Sequence, residues 1–315
     1  MPSAASATSA TGACTDHGDP PIMSIRGLRD RAATDRGFSR LLRSLLKGMP
    51  WSEKVEAEET LHFKSPQGGV FRVHNSNGAT RIAAEDRDDI EVAAYKTARA
   101  ESLEAATDLL EEIRIAAHES PERLDLEVEV PKRWNRRGSA NLCIKLPRAM
   151  EVWVAAANGK VDVAGVHGAV HARSTNGSAK VCNVIGDIEI ATTNAKVCCA
   201  STCGALSARS SNGKIEVERH RGSLDCITSN GLIRARLEGL SEPGVTLATS
   251  NGRIVLDLPE EVNAEVDLRV DNGVIRNDRE LCYIQRESHG RVLGRLGKGG
   301  ALIKLRTSNG SISLR

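Results

Sequence analysis

The sequence predicts an all-β fold, a single parallel β-helix or β-solenoid with turns of 18 to 21 residues. Asparagines recur every 18 residues through the central stretch, at Asn158, Asn176, Asn194, Asn212 and Asn230. Glycines recur with the same spacing, half a repeat away. Between these two markers, apolar and polar residues alternate, which is typical of half-buried strands. A fixed period without insertions over several units indicates a stacked repeat.

Equivalent positions of the repeat hold the candidate core. With each Asn counted as position one, positions four, six, thirteen and fifteen are apolar or cysteine. Val161, Ile188 and Leu224 are representative members and should face inward. Small polar residues recur two positions before each asparagine, and we expect their hydroxyls to form a ladder with a spacing of about 4.8 Å. These residues are Ser174, Thr192, Ser210, Thr228, Thr249 and Thr307.

An antiparallel meander is the alternative fold, because Asn-Gly between alternating strands is a strong hairpin signal. A meander would leave one apolar face of a single sheet uncovered. A coil with two strands per turn buries both apolar faces against each other and stacks like residues at like positions. We therefore favour the solenoid.

The first 50 residues are rich in Ala, Ser, Thr, Gly and Pro, and we interpret them as a disordered, low-complexity segment. Near residues 37–48 this segment contains a basic amphipathic helix with an apolar stripe that includes Phe38, Leu42 and Leu45. Such a helix suits peripheral membrane contact or docking on a partner, although packing against the solenoid is an alternative. Residues 51–315 form the predicted solenoid domain.

One helix near residues 99–114 interrupts the strands, with Leu103, Ala106, Leu110 and Ile113 at helical spacing. We expect it to cover one side or an open end of the coil. At the other end of the chain, Ser311–Leu314 is predicted as a final strand with an unpaired edge. End-to-end homo-oligomerisation through that edge is therefore expected.

Composition argues against several classes of function. Lys+Arg and Asp+Glu are nearly balanced, at 43 and 41, so no nucleic-acid partner is expected. No apolar run is long enough to span a membrane, and no secretory signal is visible, so a cytoplasmic location is expected. Cys182, Cys198, Cys199 and Cys203 could bind a metal, but their spacing matches no usual zinc pattern and favours simple packing. No metal or other cofactor is predicted.

The outward carboxylates are scattered, and several face the opposite charge one turn away, as Asp162 faces Lys180 and Glu216 faces Arg234. His167 and His171 are four residues apart, but on a strand that spacing does not bring their imidazoles together at one metal ion. A loop containing Arg286, Arg291, Arg295 and Lys298 is interpreted as a solvated hairpin, with anion contact as the alternative. These observations predict no catalytic residue.

The repeated Thr/Ser-Asn-Gly-x-Ile/Val-x-Val turn, the helix-interrupted N-terminal strands and the closing Gly297–Leu314 stretch carry a family resemblance. From about Leu61 to Arg315, the chain resembles the bacterial putative-adhesin family of β-strand-repeat domains of unknown function. The resemblance implies a parallel β-solenoid, a bacterial source and a link to the cell envelope or its stress responses.

The sequence therefore predicts a non-catalytic, adhesin-like scaffold that acts through protein–protein contacts with an unknown partner. A carbohydrate-active β-helix enzyme that acts on an acidic polysaccharide is the alternative. An exposed, concave row of carboxylates would favour the enzyme, and a flat face of alternating charge would favour the scaffold.

Overall fold

The structure, a computed structural model, describes residues 52–285 and 290–315, and the helix predicted near residues 37–48 lies outside them. Strands and one helix wind into a coil. The strands are β1 (Glu53–Lys64), β2 (Val70–Asn77), β3 (Thr80–Glu85), β4 (Asp89–Ala100), β5 (Arg114–Glu119), β6 (Arg123–Glu129), β7 (Arg137–Pro147), β8 (Glu151–Asn158), β9 (Val161–Ala164), β10 (Val170–Ser174), β11 (Ala179–Ile185), β12 (Ile188–Thr192), β13 (Val197–Asn212), β14 (Ile215–Asn230), β15 (Ile233–Asp257), β16 (Ala264–Asn277), β17 (Cys282–Gln285), β18 (Arg291–Leu296) and β19 (Ala301–Leu314). The helix is α1 (Leu103–Glu112).

Each turn of the coil contributes to two faces. Face one consists of β6, β2, β8, β10 and β12, followed by the second halves of β13 and β14, the middle of β15, and the first halves of β19 and β16. Face two begins with β7, β3, β9 and β11 and continues with the first halves of β13, β14 and β15. These neighbours pair in parallel, which confirms the solenoid and excludes the meander.

The apolar sides of both faces form one buried cluster. The representative core residues Val161, Ile188 and Leu224 are at most 3% exposed, as predicted. Alternation along each strand sends one set of side chains inward and the next outward. The core columns therefore follow directly from the repeat.

An asparagine ladder, not foreseen from the sequence, runs along one corner of the coil. From the second member onward, each side-chain amide donates its Nδ2–H to the Oδ1 of the preceding asparagine, over distances of 2.9–3.2 Å. In stacking order the ladder consists of Asn158, Asn176, Asn194, Asn212, Asn230, Asn251, Asn309 and Asn272. An amide has both a donor and an acceptor, so it can bond the turn on either side.

Replacing an interior asparagine should therefore cost more than replacing the end of the ladder. Asn212→Ala removes one bond donated to Asn194 and one accepted from Asn230, whereas Asn158→Ala removes only the bond accepted from Asn176. At about 0.5–1.5 kcal/mol per bond, we expect a loss near 2 kcal/mol for Asn212→Ala and near 1 kcal/mol for Asn158→Ala. Urea unfolding of both variants measures the difference, and equal losses would show that the ladder contributes no free energy.

The predicted column of buried hydroxyls is confirmed, because the six residues are paired on successive strands. Ser174, Thr228 and Thr307 donate to turn glycine carbonyl oxygens over 3.3–3.5 Å. Thr192 and Ser210 form a hydroxyl–hydroxyl contact, at 3.5 Å. The hydroxyls therefore stack on successive strands as expected, and most of them satisfy carbonyl groups of the bend that follows each asparagine. A turn carbonyl is the nearer acceptor for most of these side chains.

The coil ends in antiparallel strands. At the N-terminal end, β1 pairs with β4, β4 with β7, and β5 with β6. The predicted helix is present as α1, which packs its residues Ala105, Ala106 and Leu109 inward against β1 and β4. Leu103, expected on the buried stripe, is instead 61% exposed because it begins the helix just after the cap Ser102.

The predicted edge at Ser311–Leu314 is wrong. Strand β19 lies between β15 and β16 and pairs in parallel with both, and Leu314 is fully buried. After β16, the hairpin β17–β18 turns back, with β18 antiparallel to β16, and β19 then takes the position between β15 and β16. Two partners satisfy the backbone groups on both edges of β19. End-to-end association through this strand therefore loses its structural basis.

Candidate functional site

The four cysteines considered as metal ligands do not converge. Cys198 and Cys199 are consecutive on β13 and point to opposite sides of face two. Burial raises the pKa of the Cys199 thiol, whereas Cys198 Sγ faces outward, 3.6 Å from Glu216 Oε2. Cys182 is half-buried and Cys203 is exposed. Within residues 52–285 and 290–315, no three His, Cys, Asp or Glu side chains are grouped to hold a metal ion.

Glu216 lies between two lysines on face two. Lys196 Nζ is 2.5 Å from Glu216 Oε2, and Lys214 contacts the same carboxylate. Partial burial raises the pKa of Glu216, but the two ammonium groups outweigh this effect and lower it to about 2. Arg234 is in register with Glu216, as predicted, although its Nε lies 4.0 Å from Asp257. Opposite charges on neighbouring turns are therefore confirmed, with different direct partners.

The outward carboxylates are distributed over both faces. Asp162 and Glu216 lie on face two. Glu189 and Asp225 lie in one column of face one with a single strand between them, about 9.6 Å apart. Asp187 accepts a hydrogen bond from a backbone N–H one turn away, at 3.2 Å. This arrangement is not the row of carboxylates that the polysaccharide-cleaving alternative requires.

The basic loop is largely paired where the structure describes it. Arg291 lies 3.1 Å from Asp267, and Arg295 lies 2.7 Å from Glu265. Arg286 lies outside the described residues. The hairpin interpretation therefore accounts for the two arginines whose contacts are described.

The outer surface of face one carries a stack of three side chains, Arg72, Trp153 and His171. Parallel register places them one above another on β2, β8 and β10. The Trp153 and His171 rings are 3.8 Å apart and inclined by 16°. The Arg72 guanidinium, on the strand at the other side of β8, lies 5.0 Å from the centre of the Trp153 ring. Guanidinium and imidazole therefore flank the indole, and stacking of this kind fixes flat side chains in one orientation.

Carboxylates hold the stack in place. The Trp153 Nε1–H donates to Glu151 Oε1 at 2.5 Å. His171 Nδ1 lies 3.2 Å from Glu189 Oε2, and its Nε2 lies 3.9 Å from Glu151 Oε1. Each ring therefore has a polar anchor as well as a stacking neighbour. The sequence contained one signal for this stack, because Trp153 and His171 are one 18-residue period apart.

Four cavities lie on the outer surface of face one. The cavity beside the stack has a volume of about 500 Å³ and is also lined by His74 and Arg173. A cavity of about 340 Å³ adjoins it over Ala155 and Ala157. Two more, of about 620 Å³ and 420 Å³, follow along the coil. Face one therefore carries several depressions along the coil, with a rigid aromatic element near one end.

No helix among the described residues is long and apolar enough to cross a membrane. Comparison with curated protein sequences gave no match. Among solved structures, a "putative adhesin" from Bacteroides fragilis is similar at 9% identity and a TM-score of 0.41, with 84% of this chain and 99% of that chain covered. A "putative cell adhesion protein" from Clostridium sporogenes is similar at 9% identity and a TM-score of 0.29, with 83% and 99% covered.

The family model described as Toastrack DUF4097 matches residues 71–315. The match begins within β2 and ends with the last residue, so it includes the strands of the asparagine ladder, the stack and the cavities of face one. The chain belongs to the Toastrack DUF4097 family.

Proposed function

We propose that this protein is a non-catalytic scaffold that binds a protein partner on the outer surface of face one. The observation that carries the proposal is the Arg72–Trp153–His171 stack beside a chain of shallow cavities. Aromatic and arginine side chains are enriched at protein interfaces, and rigid ones lose little conformational entropy on binding. From the family resemblance, we also propose a role at the cell envelope or in its stress responses.

The carboxylates of face one support a binding role. Glu189 holds His171, and Asp225 lies 3.5 Å from Arg209. General acid–base chemistry needs two groups poised around one reacting bond. Here Glu189 and Asp225 each contact a basic side chain, and one strand lies between the two carboxylates. The enzyme alternative gains no support from this geometry.

Site-specific photo-crosslinking in source cells tests the proposal. A photoreactive residue placed at position 155, on the outer surface of face one, should trap a protein partner. The same residue at position 180, on the outer surface of face two, should not. Equal trapping from both faces, or none from face one, would refute the proposed binding surface.

The stack should be needed for this contact. Trp153→Ala removes the central ring, and we expect about tenfold weaker crosslinking at position 155, as for aromatic residues that dominate an interface. Trp134→Ala is the matched control, because Trp134 is 91% exposed and lies outside face one. Thermal unfolding of both variants should confirm that the coil remains folded. A full yield with Trp153→Ala would show that the stack does not contribute to binding.

A further inference from the structure

Face one carries a second ordered feature, a column of arginines. In stacking order, one outward column beyond Ala155 consists of Arg173, Ala191, Arg209, Ile227, Ala248, Arg306, Arg269 and Arg291. No carboxylate occurs among these eight positions. We define Arg173, Arg209, Arg306 and Arg269 as the arginine column, since Arg291 is held close by Asp267.

Three of the four arginines of the column are only loosely held by the protein itself. Arg173 and Arg306 lie 3.8 Å and 4.0 Å from the nearest carboxylates, which are beyond hydrogen-bond length, and Arg209 lies 3.5 Å from Asp225. Their side chains are 47–70% exposed. Exposed ion pairs of this kind contribute little free energy. A ligand carboxylate can therefore compete for these guanidinium groups.

The surroundings of the column indicate what kind of ligand fits. The cavity of about 420 Å³ beside Arg306 and Arg269 is lined by the hydroxyl-bearing Ser229, Ser250 and Ser308. These residues occupy the neighbouring outward column, on the opposite side of the arginines from Asp225 and Asp267. Asp271 lies 3.3 Å from Arg269 in the same cavity and marks its acidic end. Hydroxyls there can bond to peptide N–H and C=O groups, while the guanidinium groups bind carboxylates.

The spacing of Arg173 and Arg209 matches an extended peptide. Arg173 and Arg209 are two strands apart along face one, or about 9.6 Å. A polyproline II helix advances about 9.3 Å in its three residues per turn. A peptide in that conformation with an acidic residue at every third position would thus place one carboxylate at each of these arginines. Ala191, between them, leaves room for the intervening side chains.

Other polyanions fit less well. Single-stranded nucleic acids gain affinity by stacking bases on aromatic rings. Sugar rings likewise pack on exposed aromatic faces. On face one, Trp153 is flanked by His171 and Arg72 on its two neighbouring strands. Its ring is therefore not open for a base or a sugar to cover.

We propose that the arginine column binds an extended acidic peptide segment, in which carboxylates at every third residue meet Arg173 and Arg209. This proposal deepens the proposed function, because it rests on a protein partner and names the chemistry of its docking segment. It places that segment along the coil axis, across the strands of face one.

Fluorescence anisotropy with the full chain and labelled synthetic peptides tests the proposal. The probe is a proline-rich peptide with Glu at every third position. One control peptide carries Gln instead of Glu, and another has the same composition with all Glu residues at one end. The spaced acidic peptide should bind at least about tenfold more tightly than either control, because each charge-assisted bond contributes substantially. Added salt should weaken binding.

Protein variants locate the site. Arg173→Gln/Arg209→Gln should weaken binding of the spaced peptide about tenfold or more. Lys180→Gln/Arg236→Gln removes the same charge from face two and should leave binding unchanged. Absence of binding, equal binding of the clustered peptide, or equal loss in the two double variants would overturn the proposal.

Two further arms separate the peptide from other polymers. If an acidic polysaccharide or single-stranded DNA binds more tightly than the peptide and is lost with Arg173→Gln/Arg209→Gln, the peptide assignment is overturned. A partner crosslinked at position 155, together with no binding of acidic peptides, would overturn this inference and leave the scaffold proposal intact.

Discussion

Gly222→Ala should destabilise the coil by about 4 kcal/mol or more, or prevent folding. Gly222 has φ of +140°, a conformation that residues with a Cβ rarely adopt. A Cβ built there would lie 1.9 Å from the carbonyl oxygen of Gly204, one turn away. The obstructing atom belongs to the backbone, so relief requires neighbouring turns to separate. Their parallel pairing would then be broken on both sides of the bend.

Gly239→Ala is the matched control for this prediction. It lies on the next turn, in register with Arg221, and its Cβ would meet only the Arg221 side chain, at 3.7 Å. We expect a change within about 1 kcal/mol, since one flexible side chain can adjust. Thermal unfolding followed by circular dichroism measures both variants. Similar melting temperatures for the two would contradict the packing argument at the bend.

The second large effect concerns a polar pair inside the coil, Thr202 and His220. His220 is fully buried, and its Nδ1 lies 2.9 Å from Thr202 Oγ1. Its Nε2 lies 3.0 Å from the carbonyl oxygen of Ser223, which can only accept, so Nε2 carries the proton and the Thr202 hydroxyl donates to Nδ1. The turns on either side have Val184 and Leu237 at the equivalent positions.

His220→Leu should therefore cost about 2 kcal/mol, because it leaves the buried Thr202 hydroxyl without its acceptor. The double variant Thr202→Val/His220→Leu introduces the residue types that the turns on either side carry at the equivalent positions, Val184 and Leu237. We expect it to lie within about 1 kcal/mol of the natural protein at neutral pH. Urea unfolding of the single and double variants measures this coupling. A double variant less stable than His220→Leu would contradict it.

The same pair predicts an acid-sensitive stability. Burial lowers the pKa of His220 below its ordinary value of 6.5, against the opposing effect of its hydrogen bonds. As pH falls through 6.5, the unfolded chain binds a proton that the folded chain does not, so folding free energy is lost. The loss continues until pH reaches the lower pKa of the folded state. The pair therefore makes its full contribution to the folding free energy only above pH 6.5.

The double variant supplies the control for pH, because it lacks the imidazole and keeps every other titrating group. The free energy of unfolding of the natural protein should fall relative to the double variant between pH 7.5 and pH 5. Parallel pH profiles for the two proteins would show that His220 is not the responsible group.

The candidate site was harder to predict than the core. Outward positions accept many residue types. The alternation of apolar and polar residues therefore shows which side chains face solvent, but it does not show which other side chains they contact. Trp153 and His171 were one period apart in the sequence, but contact with Arg72 joins strands more than 80 residues apart in the chain. The arginine column likewise includes Arg306 and Arg269, which become neighbours only through the placement of β19.

The 18-residue period and the alternation of apolar residues determined, from sequence alone, that the chain winds into a parallel coil with Val161, Ile188 and Leu224 inside. Both signals repeat locally, and the two-residue period of a strand fixes which side chains are buried. Only the tertiary structure decided the order of the last strands, with β19 between β15 and β16. The repeats are alike in sequence, so β19 could in principle pair beside several of them. Long-range backbone pairing, and not the order of strands in the chain, therefore decided which strands lie next to β19.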